Sequence, residues 1–327
     1  MTMFKDQVFQ LGGMPVGGPI TQGKSWFVKP SSGSDSNEGD RLDRPVKTLA
    51  KALSLATADQ NDIVYFFSES NSSSSTTDYQ TATLDWNKDG VHLIGVNSGS
   101  AFGQRSRVAF VSTYVTASNL FTLSADNCYI ANIHFFAGVA DTNPTGCVQV
   151  TGTRNRFENC HIYGIGNNSM DTAGAYSLKI DGSEETLFKD CVIGGNTVLA
   201  GSAANSEILF DSGSKNIVFK DCIITRKIEH ATNHPLVKVA DATGIDDFVL
   251  FDNCKFISLS VNYATAQSGV FKLAADLTAG LIVLHNCIAV NDNASGSGKW
   301  DVDDRDKLCI LAPATPAADT AGLVRVV

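Results

Sequence analysis

The chain has 327 residues, 43% of them apolar, and a formal net charge of −9. That length and apolar fraction exclude disorder for most of the chain and require a sizeable core. The 25 Lys and Arg are scattered rather than clustered for phosphate neutralisation, and no apolar run approaches the roughly 20 residues of a bilayer span, so neither nucleic acid nor membrane is an expected partner.

In chain order, residues 1–24 contain "LGGMPVGGP", too rich in glycine and too poor in apolar alternation for a strand. They read as an extended N-terminal arm. "MTMFKDQVFQ" lacks a charged segment followed by an apolar run, so synthesis in the cytoplasm is expected. Residues 25–60 are predicted to be an opening strand followed by a capping helix. In "RPVKTLAKALSLATADQ", Val46, Leu49, Leu53 and Ala56 recur at helical spacing, and Pro45 suits a helix start.

Residues 61–300 carry a repeat. "DIVYFF" (62–67), "VHLIGV" (91–96), "RVAFV" (107–111) and "NLFTL" (119–123) are strand-like, with the polar loop "SESNSSSSTTDYQTA" (68–82) after the first. Then Cys128, Cys160, Cys191, Cys222, Cys254 and Cys287 follow one another at intervals of 31 to 33 residues. Each is preceded by Asn or Asp: Asn127, Asn159, Asp190, Asp221, Asn253 and Asn286. Phe157, Phe188, Phe219, Phe251 and Leu284 stand three residues before five of them. A second track of short alternations, "CVQV" (147–150), "SLKI" (177–180), "EILF" (207–210), "LVKV" (236–239) and "VFKL" (270–273), has the period of a strand. Two or three short strands per unit with no helix between them stack as a parallel β-helix. At about 4.8 Å per coil, about seven coils make a rod of roughly 35 Å, whose open end the helix would cap.

Phe157 and Cys160 are an odd number of residues apart, so a straight strand would point them to opposite faces. A left-handed corner at Asn159 turns both inward, and Asn and Asp tolerate that backbone. The cysteine then reads as a small buried filler. Residues 301–327 form a C-terminal segment with a short strand expected at "LVRVV".

Several groups could carry chemistry. In-register cysteines have suitable Cα spacing for disulfides, but parallel Cβ vectors do not converge, and a one-sided file offers no tetrahedron for zinc. Asp126, Glu158, Lys189, Lys220, Asp252 and His285, two residues before each cysteine, form a mixed-charge stripe. It reads as a solvated face, or as a carbohydrate cleft if carboxylates pair across coils. His230 and His234, in "EHATNHP", lack a metalloprotease glutamate and read as a loop. "DSNEGD" (35–40) opens like a calcium loop but has Val46 at its twelfth position, so turns leading into the helix explain it better. "DVDDRD" (301–306) could hold a cation or be an acidic turn. Trp26, Trp86 and Trp300 are expected outside the regular coils. The loops "GIGNNSMDTAGA", "GNTVLAGSAANS" and "SLSVNYATAQSG" lack the aromatic density of a sugar groove and suit packing against another flat surface. No nucleophile elbow or phosphate loop occurs in the strand–turn–helix context it needs.

"SGSDSNEGDRLDRPVKTLAKAL" resembles the lead-in segment of pectate-lyase-like right-handed parallel β-helix proteins, and with the coils the resemblance covers residues 24–300. It implies an all-β, right-handed parallel β-helix with an N-terminal capping helix. The family's catalytic Arg and calcium-binding Asp set have no matching positions here. "MFKDQVFQLGGMPVGGPITQGKSWFVKP" resembles the N-terminal arms of β-helix proteins of tailed bacteriophages, which implies a virion location and a homotrimer. The expectation is a non-enzymatic virion protein, a capsid decoration or head spike, whose arm binds the major capsid protein or another virion protein. No catalytic, cofactor-binding or metal residue and no cofactor are assigned. A tailspike-like protein that binds or cuts host surface glycan, or a plain adhesin, is the alternative.

Overall fold

The computed structural model describes residues 23–67, 77–96, 102, 106–111, 116–200, 205–228, 235–260, 269–274, 279–291, 308–311 and 323–325. Nearly all of the proposed arm lies outside them, as do His230, His234, Trp300 and the 301–306 segment.

The chain is a parallel β-helix. Among the described residues, three sheets of 11, 8 and 7 strands run along it, here named A, B and C. One turn passes from sheet C (Tyr176–Asp181) through sheet A (Leu187–Lys189) to sheet B (Val192–Ala200). The next repeats the path through Ser206–Asp211, Ile217–Lys220 and Ile223–Ile228, all paired parallel, with one register shift in sheet B between Gly195 and Leu199. About six regular turns are stacked behind one less regular turn at Leu84–Trp86, His92–Gly95 and Ser106–Phe110. Sheet A ends differently. Leu308–Leu311 pairs parallel with Leu281–His285, and Leu323–Arg325 then pairs antiparallel with Leu308–Leu311.

The corner between sheets A and B works as the parity argument requires. Asn159, Asp190, Asp221, Asn253 and Asn286 all have φ between 51° and 54°, the left-handed region that Asn and Asp tolerate best among residues with a side chain. Each corner resets the alternation, so Phe157 and Cys160 both enter the core at 0% and 1% exposure. Identical residues therefore stack in files. Phe157, Phe188, Phe219 and Phe251 lie ring on ring, with centroids 4.7–4.8 Å apart and planes within 13°. Offset stacking and burial both favour such a file, at roughly 1.5–3 kcal/mol per buried ring before entropy.

The register corrects one part of the repeat. Arg156 pairs with Tyr129, so Cys128 stands beside Asn155 at the corner between sheets C and A, where its backbone N–H donates to Asn155 Oδ1 at 2.8 Å. Because His161 pairs with His134, the position matching Cys160 is Ile133. That turn takes 27 residues where the next takes 31, and the even cysteine spacing crosses from one corner to another. Asn127 (φ 57°) accordingly belongs with Arg154, Glu185 and Asn216, and Asn132 is the true start of the Asn/Asp file.

The cap helix is shorter than its apolar spacing suggests. It runs Leu49–Leu55 with Thr48 as N-cap, while Val46 forms a parallel bridge with Val28. Pro45 therefore precedes the helix, and its carbonyl accepts from Asn37 Nδ2 at 2.8 Å. Leu49, Ala52 and Leu53 cover the first rungs. Asp78 Oδ2 takes the Leu49 N–H at 3.0 Å.

Two predictions follow from these contacts. The corner amides form a directed ladder, in which Asn159 donates to Asn132, Asn253 to Asp221 and Asn286 to Asn253. Asp190 and Asp221 interrupt it, because a carboxylate pair has no donor to share. Asp221→Asn restores a donor toward Asp190 and removes a like-charge neighbour; the urea midpoint is expected to rise by an amount worth about 1 kcal/mol. Separately, burial pushes the Asp78 carboxyl up to about 7, aided by Asp35 and opposed by the Leu49 N–H and Gln80. A carboxyl raised in the fold binds its proton more tightly there than in the unfolded chain. It therefore removes stability progressively as pH rises from about 4 to 7. Asp78→Asn keeps the acceptor for Leu49, so its melting temperature should exceed the parent's at pH 8 and match it near pH 4.

Candidate functional site

The solvent-facing chemistry is arranged in columns, because every outward position is repeated one rung later. On sheet C, Asp181 and Asp211 are in register on adjacent strands. Lys179 Nζ lies 3.1 Å from Asp181 Oδ2 and 2.8 Å from Asp211 Oδ2, and Gln149 Nε2 donates to Asp181 Oδ2 at 2.7 Å. The lysine is only 18% exposed. Burial works against its charge, but hydrogen bonds to Asp211 and Asp181 outweigh it and hold the ammonium above its ordinary range. At the adjoining corner Lys215 reaches Glu184 at 2.9 Å and Asp246 at 3.9 Å.

Sheet A carries the charged stripe expected from sequence. Glu158 meets Lys189 at 3.1 Å and Arg156 at 2.6 Å, and Tyr129 OH donates to it at 3.1 Å. Partial burial would raise its carboxyl, yet Lys189, Arg156 and Tyr129 together hold it below the usual range. Asp252 lies between Lys220 at 3.7 Å and His285 at 2.7 Å. Asp126 is not part of this column. Its register position is filled by Ala131, and Asp126 Oδ1 instead accepts the Thr153 N–H at the other corner, at 2.7 Å.

The remaining candidates resolve into architecture. Cys128, Cys147, Cys160, Cys191, Cys222, Cys254 and Cys287 are free thiols. In the file that begins at Cys160 each donates to the carbonyl two residues back, as Cys160 does to Glu158 at 3.4 Å and Cys222 to Lys220 at 3.3 Å. Burial drives Cys160 and Cys222 well above the usual thiol range, which leaves them poor nucleophiles. Asp35 spends both oxygens on Lys47 N, Thr48 N and Thr48 Oγ1, at 2.8 to 2.9 Å, so the 35–40 stretch fastens the helix start. Trp26 donates to Asp62 at 3.0 Å and Trp86 to the Val91 carbonyl at 2.9 Å. Both are buried, and Trp86 sits inside the first turn rather than outside the coil. Among the described residues no group of three or more His, Cys, Asp or Glu is placed to hold a metal.

Sequence reasoning missed a buried ionic cluster between sheets B and C. Arg226 Nε donates to Glu207 Oε1 at 2.6 Å, with 1% and 2% of the side chains exposed. Arg226 Nη1 donates to Asn205 Oδ1 at 2.6 Å. Glu207 also accepts from Ser177, whose hydroxyl takes the Gly164 N–H, and Asn205 donates to Asp171. The cluster ties strand residues of sheets B and C to Gly164, Asp171 and Asn205 in two successive connections between those sheets. Gly194, at φ 90°, makes room for it, since a Cβ there would stand 2.7 Å from Glu207 Cδ. The one sequence signal is a glutamate at the head of "EILF", a charge beside three apolar residues.

No family model matches the chain, and no curated protein matches it in sequence. Among solved structures it is similar to the pectate lyase Pel9A, with 15% identity and a TM-score of 0.56 over 83% of this chain and 66% of that one. It is also similar to a rhamnogalacturonan lyase, with 15% identity and a TM-score of 0.52 over 82% and 68% of the two chains. Geobacillus virus E2 ORF18 aligns at 14% identity over 81% and 57%, with a TM-score of 0.40, too loose to argue from. The chain thus spans just under two thirds of the pectate lyase's length. These likenesses show a pectate-lyase-like parallel β-helix fold.

The Lys179 bridge yields a prediction. Lys179→Met leaves Asp181 and Asp211 facing each other without a cation, so it should cost about 1 kcal/mol at low ionic strength. The loss should shrink in high salt, which screens the two carboxylates from each other. Urea unfolding at the two salt concentrations measures the difference.

Proposed function

We propose that the chain is a non-enzymatic structural rod of a tailed-bacteriophage virion, a capsid decoration or head spike, assembled as a homotrimer and attached through residues 1–24. The observation that carries this reading is the self-pairing of the described surface columns. Glu158 with Lys189, Asp252 with Lys220 and His285, and Asp181 and Asp211 with Lys179 spend their charges on neighbouring rungs. Such pairs stiffen the stack and leave less free charge directed at a substrate. The resemblance of residues 3–30 to phage arms supplies the attachment, and a segment of that composition would order on its partner.

A second reading is favoured by one feature. Asp181 and Asp211 stand on adjacent rungs, about 5 Å apart along the rod, near the carboxyl separation of retaining glycosidases. On that reading the protein binds or cuts host surface glycan.

Particle fractionation and reducing-end assays separate the two. Full-length protein should co-purify with virions and have the solution mass of three chains, whereas deletion of residues 1–24 should abolish particle binding and leave the coil folded. Particle binding retained without the arm would overturn the attachment. Reducing ends released from host polysaccharide, and lost in both Asp181→Asn and Asp211→Asn, would favour the second reading.

A further inference from the structure

The outward face of sheet B holds a file of three basic side chains that neither reading uses. Arg107 is in register with His134, and His134 with His161. The two imidazoles stack at 4.5 Å with planes 7° apart, and the Arg107 guanidinium lies 4.2 Å from the centroid of Phe136. His161 is 5% exposed. Its Nε2 bonds the Gly194 carbonyl at 3.0 Å and the Phe102 backbone also faces the ring, while His134 Nε2 and Arg107 Nε are buried without a hydrogen-bond partner. Two orphaned polar atoms in one file are costly, since each forfeits solvation without replacement.

Among the described residues the surroundings lack a counter-charge. Beside the file this face carries Tyr79 and Tyr163, Val192 follows on the next rung, and further along the face the charged groups are Lys255 and Lys227. Phe102 packs edge-on against His161 at 5.9 Å. Glu207, the acid nearest from sheet C, is spent on Arg226 and Ser177. Tyr79 and Phe102 remain 44% and 47% exposed; Tyr79 is close enough to act on the Arg107 charge, and Phe102 borders His161 two rungs on. Burial holds His134 well below the ordinary imidazole range, with His161 and Arg107 adding to it, and burial lowers His161 as well.

We propose that this file is an oxyanion site. A carboxylate, sulfate or phosphate docks on Arg107 beside Tyr79, and proton uptake by His134 and His161 tightens it. Guanidinium is the preferred partner of planar and tetrahedral oxyanions. The neutral imidazoles make the coupling run one way: an anion favours their charged forms, so affinity rises as pH falls. The site is independent of the Asp181 and Asp211 pair and of the arm.

Thermal shift and histidine NMR on the full chain test it, with sulfate, phosphate and acetate compared with chloride at matched ionic strength. At least one oxyanion is expected to stabilise saturably, about tenfold more tightly at pH 5.5 than at pH 7.5, and to move the His134 and His161 resonances. The arm that saturates identifies the oxyanion class. Arg107→Met should abolish the effect. Arg107→Lys, which keeps the charge and guards against misfolding, should weaken it, and the exposed control Arg154→Gln should leave it unchanged. Equal stabilisation in Arg107→Met, an equal effect of chloride, or no dependence on pH would overturn the site.

Discussion

The structure depends on the spacing of parallel strands. Rungs about 4.8 Å apart in register oblige each side chain to tolerate its own counterpart above and below. Inward positions satisfy this with stackable apolar groups such as the Phe157 to Phe251 file. Corner positions satisfy it with amides that donate down the ladder. Some outward positions satisfy it by alternating charge, as Glu158 and Lys189 do, and others by sharing a counter-ion, as Asp181 and Asp211 share Lys179. A residue that suits its own strand but repels its copy on the next is the exception to be explained, and Asp190 beside Asp221 is such a case.

The same constraint separates core from loops. Between sheets A and B the chain turns on one left-handed residue, so the corner is short and its chemistry is uniform. Between sheets B and C the loops are long and of unequal length, and no file can form. There the fold uses an ionic cluster instead. A buried Arg–Glu pair adds little net stability because of desolvation, but its bonds to Asn205 and Ser177 fasten two of these connections to the strands beside them.

Much of this was legible in the sequence for one reason: a file of identical side chains leaves identical letters at a fixed interval. The coil, its corner residue and the burial of the cysteines could be read that way. Cys128 shows the limit. Letter spacing measures chain length between like residues, not register, and a 27-residue turn beside a 31-residue one moved a cysteine to another corner with no visible break. Pro45 misled for a different reason, since Val46 was taken by a bridge to Val28 before the helix began. Arg226, Glu207 and the His134–His161 stack were not legible, because their partners lie on other turns and their significance comes from burial.

The reversed strand at Leu323–Arg325 matters beyond its size. A parallel coil presents the same hydrogen-bonding edge at its end as at every internal step, so an uncovered end is a template for another molecule. By pairing antiparallel with Leu308–Leu311, the last strand of sheet A changes the donor and acceptor pattern of that edge. The edge that sheet A presents there is no longer a copy of its internal steps.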